Sequence, residues 1–304
     1  MRRLPFGSFA GLGAALACNL VWGLMPVYWR ALQKIPTAQL VCQRIFWSCL
    51  TLALLLAGLG KLKGVAALLR NGRKMAALAL CSLLLCLNWY LYIHMVNSGQ
   101  LLETGFGLFL TPLCAALLAV IVLRRRFDLA QCLALVLGVA GIICHPKISG
   151  ILPWAAIGLA VCGALYGILR AIIQVELLPG LFLEMLMALP FAGAVLLYYQ
   201  IDGTLLFSTG GAANGPLLAA SGLVTVAPLL LLAYATPRVR MHLLGRAQFV
   251  APFMAIFMGI VVVGEQFHIA HFVSFALVCC ALAVYGVNEI RREYPAPKTP
   301  EAAG

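Results

Sequence analysis

The composition of this chain excludes a soluble globular protein. Its 304 residues are 63% hydrophobic and only 10% charged, and the mean hydropathy is +1.02. A soluble domain carries about 25% charged residues and could not cover so much apolar surface. The formal net charge is +12. The basic residues lie in short clusters between apolar runs, which is typical of membrane-protein loops and excludes nucleic acid as a partner.

Ten segments have the length and apolar character of transmembrane helices. A span requires about 20 mostly apolar residues, and polar clusters such as 97–100 divide runs that are long enough for two spans. The first apolar run continues past Cys18. It is too long for a signal peptide, so we predict that it remains as an uncleaved first helix. The predicted helices are 8–29, 38–59, 74–96, 100–123, 129–146, 152–172, 180–199, 215–235, 241–264 and 268–288.

Basic residues between these helices predict the orientation of the chain. If the N-terminus is cytoplasmic, 16 of the 21 Lys and Arg residues lie on the cytoplasmic side. Only Arg30, Lys34 and Lys147 lie on the opposite side, and Arg44 and Arg246 fall within spans. Because cytoplasmic loops are enriched in Lys and Arg, we predict that both termini are cytoplasmic.

The sequence also repeats itself at a spacing of 140 residues. The four matching residues of the first half are followed by the same four in the second half: Gly105, Phe109, Pro112 and Phe127, then Gly245, Phe249, Pro252 and Phe267. Five helices per half is an odd number, so the second half enters the membrane from the opposite side, as in many secondary transporters. The predicted fold is an all-α integral membrane protein of ten transmembrane helices in two inverted five-helix repeats. The repeats are 1–147 and 148–290, and a disordered cytoplasmic tail follows at 291–304.

Seven segments carry a resemblance to a known family. They follow one another in family order from about residue 12 to 288: Asn19–Tyr28 (NLVWGLMPVY), Gln43–Ser48 (QRIFWS), Leu87–Trp89 (LNW), Val96–Pro112 (VNSGQLLETGFGLFLTP), Ala164–Arg170 (ALYGILR), Leu183–Pro190 (LEMLMALP) and Ala247–Glu265. In these segments the chain resembles the EamA-type branch of the drug/metabolite transporter superfamily, and within it the chloramphenicol-sensitive protein RarD group. The chain departs from the family pattern where Arg124-Arg125 replace a frequent Gly-Glu pair, and at Arg246, where an apolar or aromatic residue is usual.

The resemblance implies a multi-pass permease of the cytoplasmic (inner) membrane, with both termini inside. Together with the inverted repeats it predicts a secondary transporter that moves a small metabolite or drug-like molecule by alternating access. The expected partners are this small molecule, the lipid bilayer and a coupling ion. No cofactor is expected, because the chain lacks the G-x-x-x-x-G-K-[ST] motif of ATP-binding proteins.

Three ionisable residues within the spans are candidates for substrate binding or gating, because burying a charge in a membrane is costly. Arg44 lies one to two turns into the second helix, where it could instead snorkel to the interface beside Trp47. Glu103 begins the fourth helix, where it could serve as a counter-charge of Arg44 or simply complement the helix dipole. Glu184 lies near the cytoplasmic end of the seventh helix, where it could be exposed at the interface.

Four further residues could complete a substrate cavity. Asn88 lies in the middle of the third helix, where its amide needs a partner and could form a helix–helix hydrogen bond. Trp22 and Tyr166 each precede a glycine and could be packing residues. Gln248 is a polar residue of the ninth helix and does not share a face with Arg246, two residues away.

Two other function classes remain open at this point: an intramembrane enzyme and a non-transporting helical scaffold. The chain contains no H-E-x-x-H motif and no paired intramembrane aspartates, so we predict no catalytic residues. The 11 cysteines include no C-x-x-C pair, and nearly all lie in apolar runs. We therefore predict packing thiols and no metal site.

Overall fold

The computed structural model describes residues 6–122, 128–145, 153–205, 214–239 and 241–293. These residues form twelve α-helices and one π-helix, and they contain no β-strand. In chain order the elements are α1 (Phe6–Ala31), α2 (Thr37–Gly58), α3 (Leu62–Leu69), α4 (Gly72–Asn97), α5 (Leu101–Val122), α6 (Leu129–Cys144), α7 (Trp154–Ile173), α8 (Leu177–Ile201), α9 (Asn214–Ala235), α10 (Met241–Ala247), α11 (Val250–Met258), the π-helix (Gly259–Val263) and α12 (Ile269–Glu293).

Nine stretches of the described helices are long and apolar enough to span a membrane, with Leu243–Val263 counted as one of them. A tenth apolar helix, α6, has 16 residues. Side chains on the outside of the bundle are apolar, and Leu54, Leu83 and Phe191 are each largely exposed. Such a surface is stable against lipid but not against water. The prediction of an all-helical membrane protein is therefore confirmed, with nine or ten apolar helices.

Each predicted span overlaps a described helix, and the predicted break between the third and fourth spans is confirmed. There α4 ends at Asn97, Gly99 has a φ of +73°, and α5 begins at Leu101. The short helix α3 was not predicted, because the basic segment that contains it reads as a loop. The predicted tail 291–304 lies outside the described residues from 294 onward, and its first three residues continue α12.

The ninth predicted span, 241–264, is not one continuous helix, and this prediction is wrong in that respect. α10 ends at Ala247, α11 begins at Val250, and the π-helix follows. The π-helix ends at Val263 and is followed by Gly264, whose φ of +75° is a conformation that glycine adopts without strain. There the N–H of Glu265 donates to the Gly259 carbonyl at 3.0 Å. Hydropathy averaged over a whole span could not show this break, because the segment as a whole is apolar.

The helices pack so that each half of the chain is interleaved with the other. α2 lies between α8 and α9, α7 packs on both α4 and α5, and α6 packs along α12. α1 contacts α9 and α11. The core therefore consists largely of contacts between helices that are distant in sequence, and charged residues of α2 and α8 are enclosed by it.

Glycine permits the closest of these helix crossings. A Cβ atom on Gly222 of α9 would lie 2.3 Å from the Trp47 carbonyl oxygen of α2 and 2.5 Å from the Thr51 hydroxyl. Small residues allow such backbone approach in membrane proteins, where helices associate through packing and not through exclusion of water. Gly193 of α8 is different, because nothing lies within 4 Å of its added Cβ.

We predict that Gly222→Ala destabilises the protein by about 1–3 kcal/mol, because α9 must move away from the α2 backbone. The measurement is thermal unfolding of the purified protein in detergent. Gly193→Ala is the matched control and should be neutral or stabilising by up to about 1 kcal/mol, since alanine is the better helix former. Equal effects of the two substitutions would contradict the crossing as described.

Candidate functional site

Arg44 is buried in the helix bundle, with only 5% of its surface exposed. Its Nε donates a hydrogen bond to the Thr225 hydroxyl of α9 at 2.9 Å. Its guanidinium carbon lies 3.7 Å from the centre of the Trp89 ring of α4 and 5.1 Å from that of Trp29 of α1. Arg44 therefore does not snorkel to the surface. Cation–π contacts and one hydroxyl surround it.

The sequence around the α2–α9 crossing explains how Thr225 reaches the guanidinium. Gly222 brings α9 against the α2 backbone, and Thr225 follows three residues later on the same side of the helix. Ser48, one turn after Arg44 on α2, is completely buried as well. We call Trp29, Arg44, Ser48, Trp89 and Thr225 the Arg44 cluster.

A second polar cluster surrounds Glu184, which is fully buried. One of its carboxylate oxygens accepts a hydrogen bond from the Tyr166 hydroxyl at 3.1 Å, and the other forms an ion pair with Arg170 at 3.2 Å. Tyr166 and Arg170 are four residues apart and so share one face of α7. The hydroxyl of Ser82 on α4 donates to the Glu184 backbone carbonyl at 2.6 Å. These four residues form the Glu184 cluster, and the expected interfacial exposure of Glu184 is not observed.

Another acidic residue, Glu265, caps the N-terminus of α5. Its two carboxylate oxygens accept hydrogen bonds from the N–H groups of Leu101 at 2.6 Å and Leu102 at 2.9 Å. Burial raises the pKa of the Glu265 carboxyl above its ordinary value of 4.5, and these two donors and Arg30 oppose the rise. Like charge on Glu103 lies close enough to interact with it.

The predicted pairing of Arg44 with Glu103 is not observed. The ion pairs between described residues are Lys61–Glu176 and Arg170–Glu184. Glu103 instead lies beside Glu265 at the start of α5, because the chain brings the end of the π-helix, and not α2, to this point.

The other predicted site residues make no hydrogen bond or ion pair with Arg44. The Asn88 amide donates to the Leu159 carbonyl of α7 at 3.0 Å, which is a helix–helix hydrogen bond. Trp22 is partly buried and packs against the main apolar core. Gln248 is exposed in the turn between α10 and α11. Of the seven predicted residues, all of which are described, only Tyr166 and Glu184 are joined by a hydrogen bond.

The sequence analysis missed several residues of the two clusters: Trp29, Ser48, Ser82, Arg170 and Thr225. A signal for Arg170 was present, because it lies four residues after Tyr166 in the fifth of the seven segments that resemble the family. The 140-residue spacing of the sequence matches also relates two residues that were predicted, because Glu184 lies 140 residues after Arg44. No local pattern marks Thr225. Among the described residues there is no group of three or more His, Cys, Asp or Glu side chains that could hold a metal.

Comparison with known proteins identifies the family of this chain. Residues 9–145 match the EamA-like transporter family. Protein RarD of Salmonella typhi is 33% identical over 280 residues, which are 92% of this chain and 95% of that protein. The chain belongs to the EamA-like transporter family. It is a multi-pass membrane transporter, and its family is a transporter family and not an enzyme family.

Other relatives of this transporter extend the same similarity. Protein RarD of Escherichia coli K12 is 31% identical over 92% of this chain and 95% of its own length. The uncharacterized transporter YojE of Bacillus subtilis 168 is 31% identical over 90% of this chain and 92% of its own. One crystal structure aligns with a TM-score of 0.58 and 17% identity, covering 92% of this chain and 99% of that one. At that identity it shows a shared fold alone.

We predict that Glu265→Gln destabilises this transporter by about 1–2 kcal/mol, because the amide can accept from only one of the two α5 N–H groups. A carboxyl whose pKa is raised on folding favours the folded state most below pH 4.5, and this contribution is lost as pH rises through the raised pKa. The advantage of Glu265 over glutamine should therefore decrease with rising pH. The measurement is thermal unfolding of both proteins between pH 4 and 8.

Glu103→Gln is the control for this prediction. Glu103 accepts no hydrogen bond among the described residues, so its substitution should leave stability unchanged or slightly raised by removing a like charge beside Glu265. If Glu103→Gln costs as much stability as Glu265→Gln, the capping role of Glu265 is wrong.

Proposed function

We propose that this membrane protein is a secondary transporter that moves a small metabolite or drug-like molecule by alternating access, with Arg44 in its substrate site. The observation that carries the proposal is the buried guanidinium of Arg44, held without a carboxylate among the described residues. Ionisable groups inside a membrane mark substrate pathways, because their cost is tolerated only where they have a role or a partner. The residues around it come from α1, α4 and α9, so helices of both halves meet there.

The proposed architecture is a pair of inverted repeats, 1–147 and 148–290. In this arrangement α1, α2, α4, α5 and α6 correspond to α7, α8, α9, α11 and α12. The helix contacts support this arrangement, because replacing each helix by its equivalent in the other half turns one observed contact into another. The contact α5–α7 corresponds to α11–α1, the contact α4–α7 to α9–α1, and the contact α2–α9 to α8–α4. The pairs α2–α8, α5–α11 and α6–α12 each map onto themselves. One of the four sequence matches, at Phe127, lies outside the described residues.

The proposed orientation places both termini in the cytoplasm, on the basis of the Lys and Arg distribution. Arg44 then lies seven residues from the outer end of α2, and Glu184 lies seven residues from the cytoplasmic end of α8. At a rise of about 1.5 Å per residue, each is about 10 Å inside its end of the bundle. The Arg44 cluster would control access from outside, and the Glu184 cluster would close the cytoplasmic end.

We predict that reporters fused after Lys147 and after Asp202 report an outer location. A fusion after Arg73 is the control and should report the cytoplasm, because Arg73 lies in the basic segment from Lys61 to Lys74. The measurement uses one reporter that is active only in the cytoplasm and one that is active only outside. Cytoplasmic activity after Lys147 or Asp202 would overturn the orientation.

We predict that Arg44→Gln abolishes substrate flux while membrane insertion and thermal stability stay near normal. Arg44→Lys should restore flux only in part, because an ammonium keeps the charge but lacks the planar fork of donors. The measurement is flux into proteoliposomes of compounds first selected by thermal shift, with empty liposomes as the blank.

The same assay separates transport from the other function classes. A transporter moves the selected compound unchanged into the liposomes, whereas an enzyme converts it in detergent, and a scaffold does neither. Normal flux by both Arg44 variants would show that Arg44 is not part of the substrate site. Loss of folded protein in both would make its role structural.

A further inference from the structure

Arg44 is a buried cation without a counter-charge in the described part of the chain. Both ion pairs between described residues involve other groups, and the polar contact of Arg44 is with a neutral hydroxyl. Insertion of an arginine at the centre of a membrane helix is unfavourable by about 2.5–3.5 kcal/mol, and less toward the interface. Cation–π contacts with Trp29 and Trp89 offset part of this cost but do not neutralise the charge.

The hydrogen-bond donors of the Arg44 cluster exceed its acceptors. A guanidinium has five N–H donors and no acceptor, and only Nε has a partner among the described residues. The Trp29 indole N–H and the Ser48 hydroxyl are buried without a hydrogen-bond partner. The two terminal nitrogens of Arg44 donate no hydrogen bond to any described residue.

These unpartnered groups lie together. The Trp29 ring is 5.1 Å from the Arg44 guanidinium carbon, and Ser48 lies one helical turn from Arg44 on the same face of α2. Arginine and tryptophan side chains can only donate. The group that would satisfy them is therefore an acceptor, and an acceptor that also carries negative charge would neutralise the guanidinium.

The second half of the chain treats the matching position in the opposite way. Glu184 lies 140 residues after Arg44, and its carboxylate already has both an arginine and a tyrosine hydroxyl as partners. The described part of the bundle therefore supplies an opposite charge to Glu184 and none to Arg44. This contrast is expected if the partner of Arg44 is a transported molecule and not a fixed residue.

We propose that the transported molecule carries a carboxylate or phosphate group, which binds to the terminal nitrogens of Arg44 and is joined by the Trp29 N–H and the Ser48 hydroxyl. The indole rings of Trp29 and Trp89 contact the apolar part of the same molecule. Thr225 holds Nε and so orients the guanidinium toward this group. The inference rests on the proposed transport function and adds the chemical class of the substrate.

The test is thermal unfolding of the purified protein in detergent with matched probes at constant ionic strength. The acidic probes are phenylacetate and phenyl phosphate, the neutral probe is phenylacetamide and the cationic probe is phenethylamine. At concentrations well above the dissociation constant, the acids should raise Tm by about 2–4 °C, and the amide and amine should not. Constant ionic strength keeps general screening equal for all probes.

Three variants assign the response to the site. Arg44→Gln should lose the response to the acids. Thr225→Val keeps the volume of the side chain and the charge of Arg44, and should weaken acid binding about tenfold because Nε loses its acceptor. Arg238→Gln is the matched control and should respond like the original protein, because Arg238 also stacks on an aromatic ring, Tyr234, but is exposed.

Three results would overturn the anionic assignment: an equal shift with the amide or amine, an unchanged acid response in Arg44→Gln, or no shift with any acid. Flux in proteoliposomes separates this failure from failure of the proposed function. If a neutral or cationic compound crosses in an Arg44-dependent way, transport stands and the anionic class fails. If acids bind at Arg44 but nothing crosses, the site stands and transport fails.

Discussion

The positive charge of Arg44 inside an apolar bundle constrains several helices at once. A guanidinium removed from water needs partners, and these come from a ring on α1, a ring on α4 and a hydroxyl on α9. These three partners come from helices other than α2, so the three helices meet α2 at the depth of Arg44. The surroundings of the guanidinium are therefore determined by how these central helices meet.

Close packing makes this meeting possible. In lipid, helices attract one another through van der Waals contact and hydrogen bonds, so small residues at crossings determine how near two backbones come. Gly222 places α9 directly against the Trp47 carbonyl of α2, and Thr225 then reaches Arg44. The crossing that Gly222 permits also places Thr225 against the guanidinium, so helix packing and the proposed binding are coupled at this point.

Arg44 and Glu184 show two physical solutions for a buried charge. Glu184 is neutralised by Arg170 and accepts a hydrogen bond from Tyr166, so the contact between α7 and α8 needs no ligand to balance its charge. Arg44 keeps donors without partners in the described residues, which favours a ligand. In the proposed mechanism, these two charges at matching positions of inverted halves serve opposite ends of the transport path.

The sequence by itself determined the membrane class, the spans and the family, because hydropathy and helix formation depend on residues that are close along the chain. It also selected Arg44 and Glu184 as buried ionisable groups, since their cost is evident from the apolar runs around them. It could not supply the break at the π-helix, where every residue is apolar, or the exposure of Gln248. Only the tertiary structure decided the partners: Thr225 lies 181 residues from Arg44, and Glu265 reaches the start of α5 from 164 residues away. Contacts of this kind depend on how helices cross, and that geometry has no local pattern in the sequence.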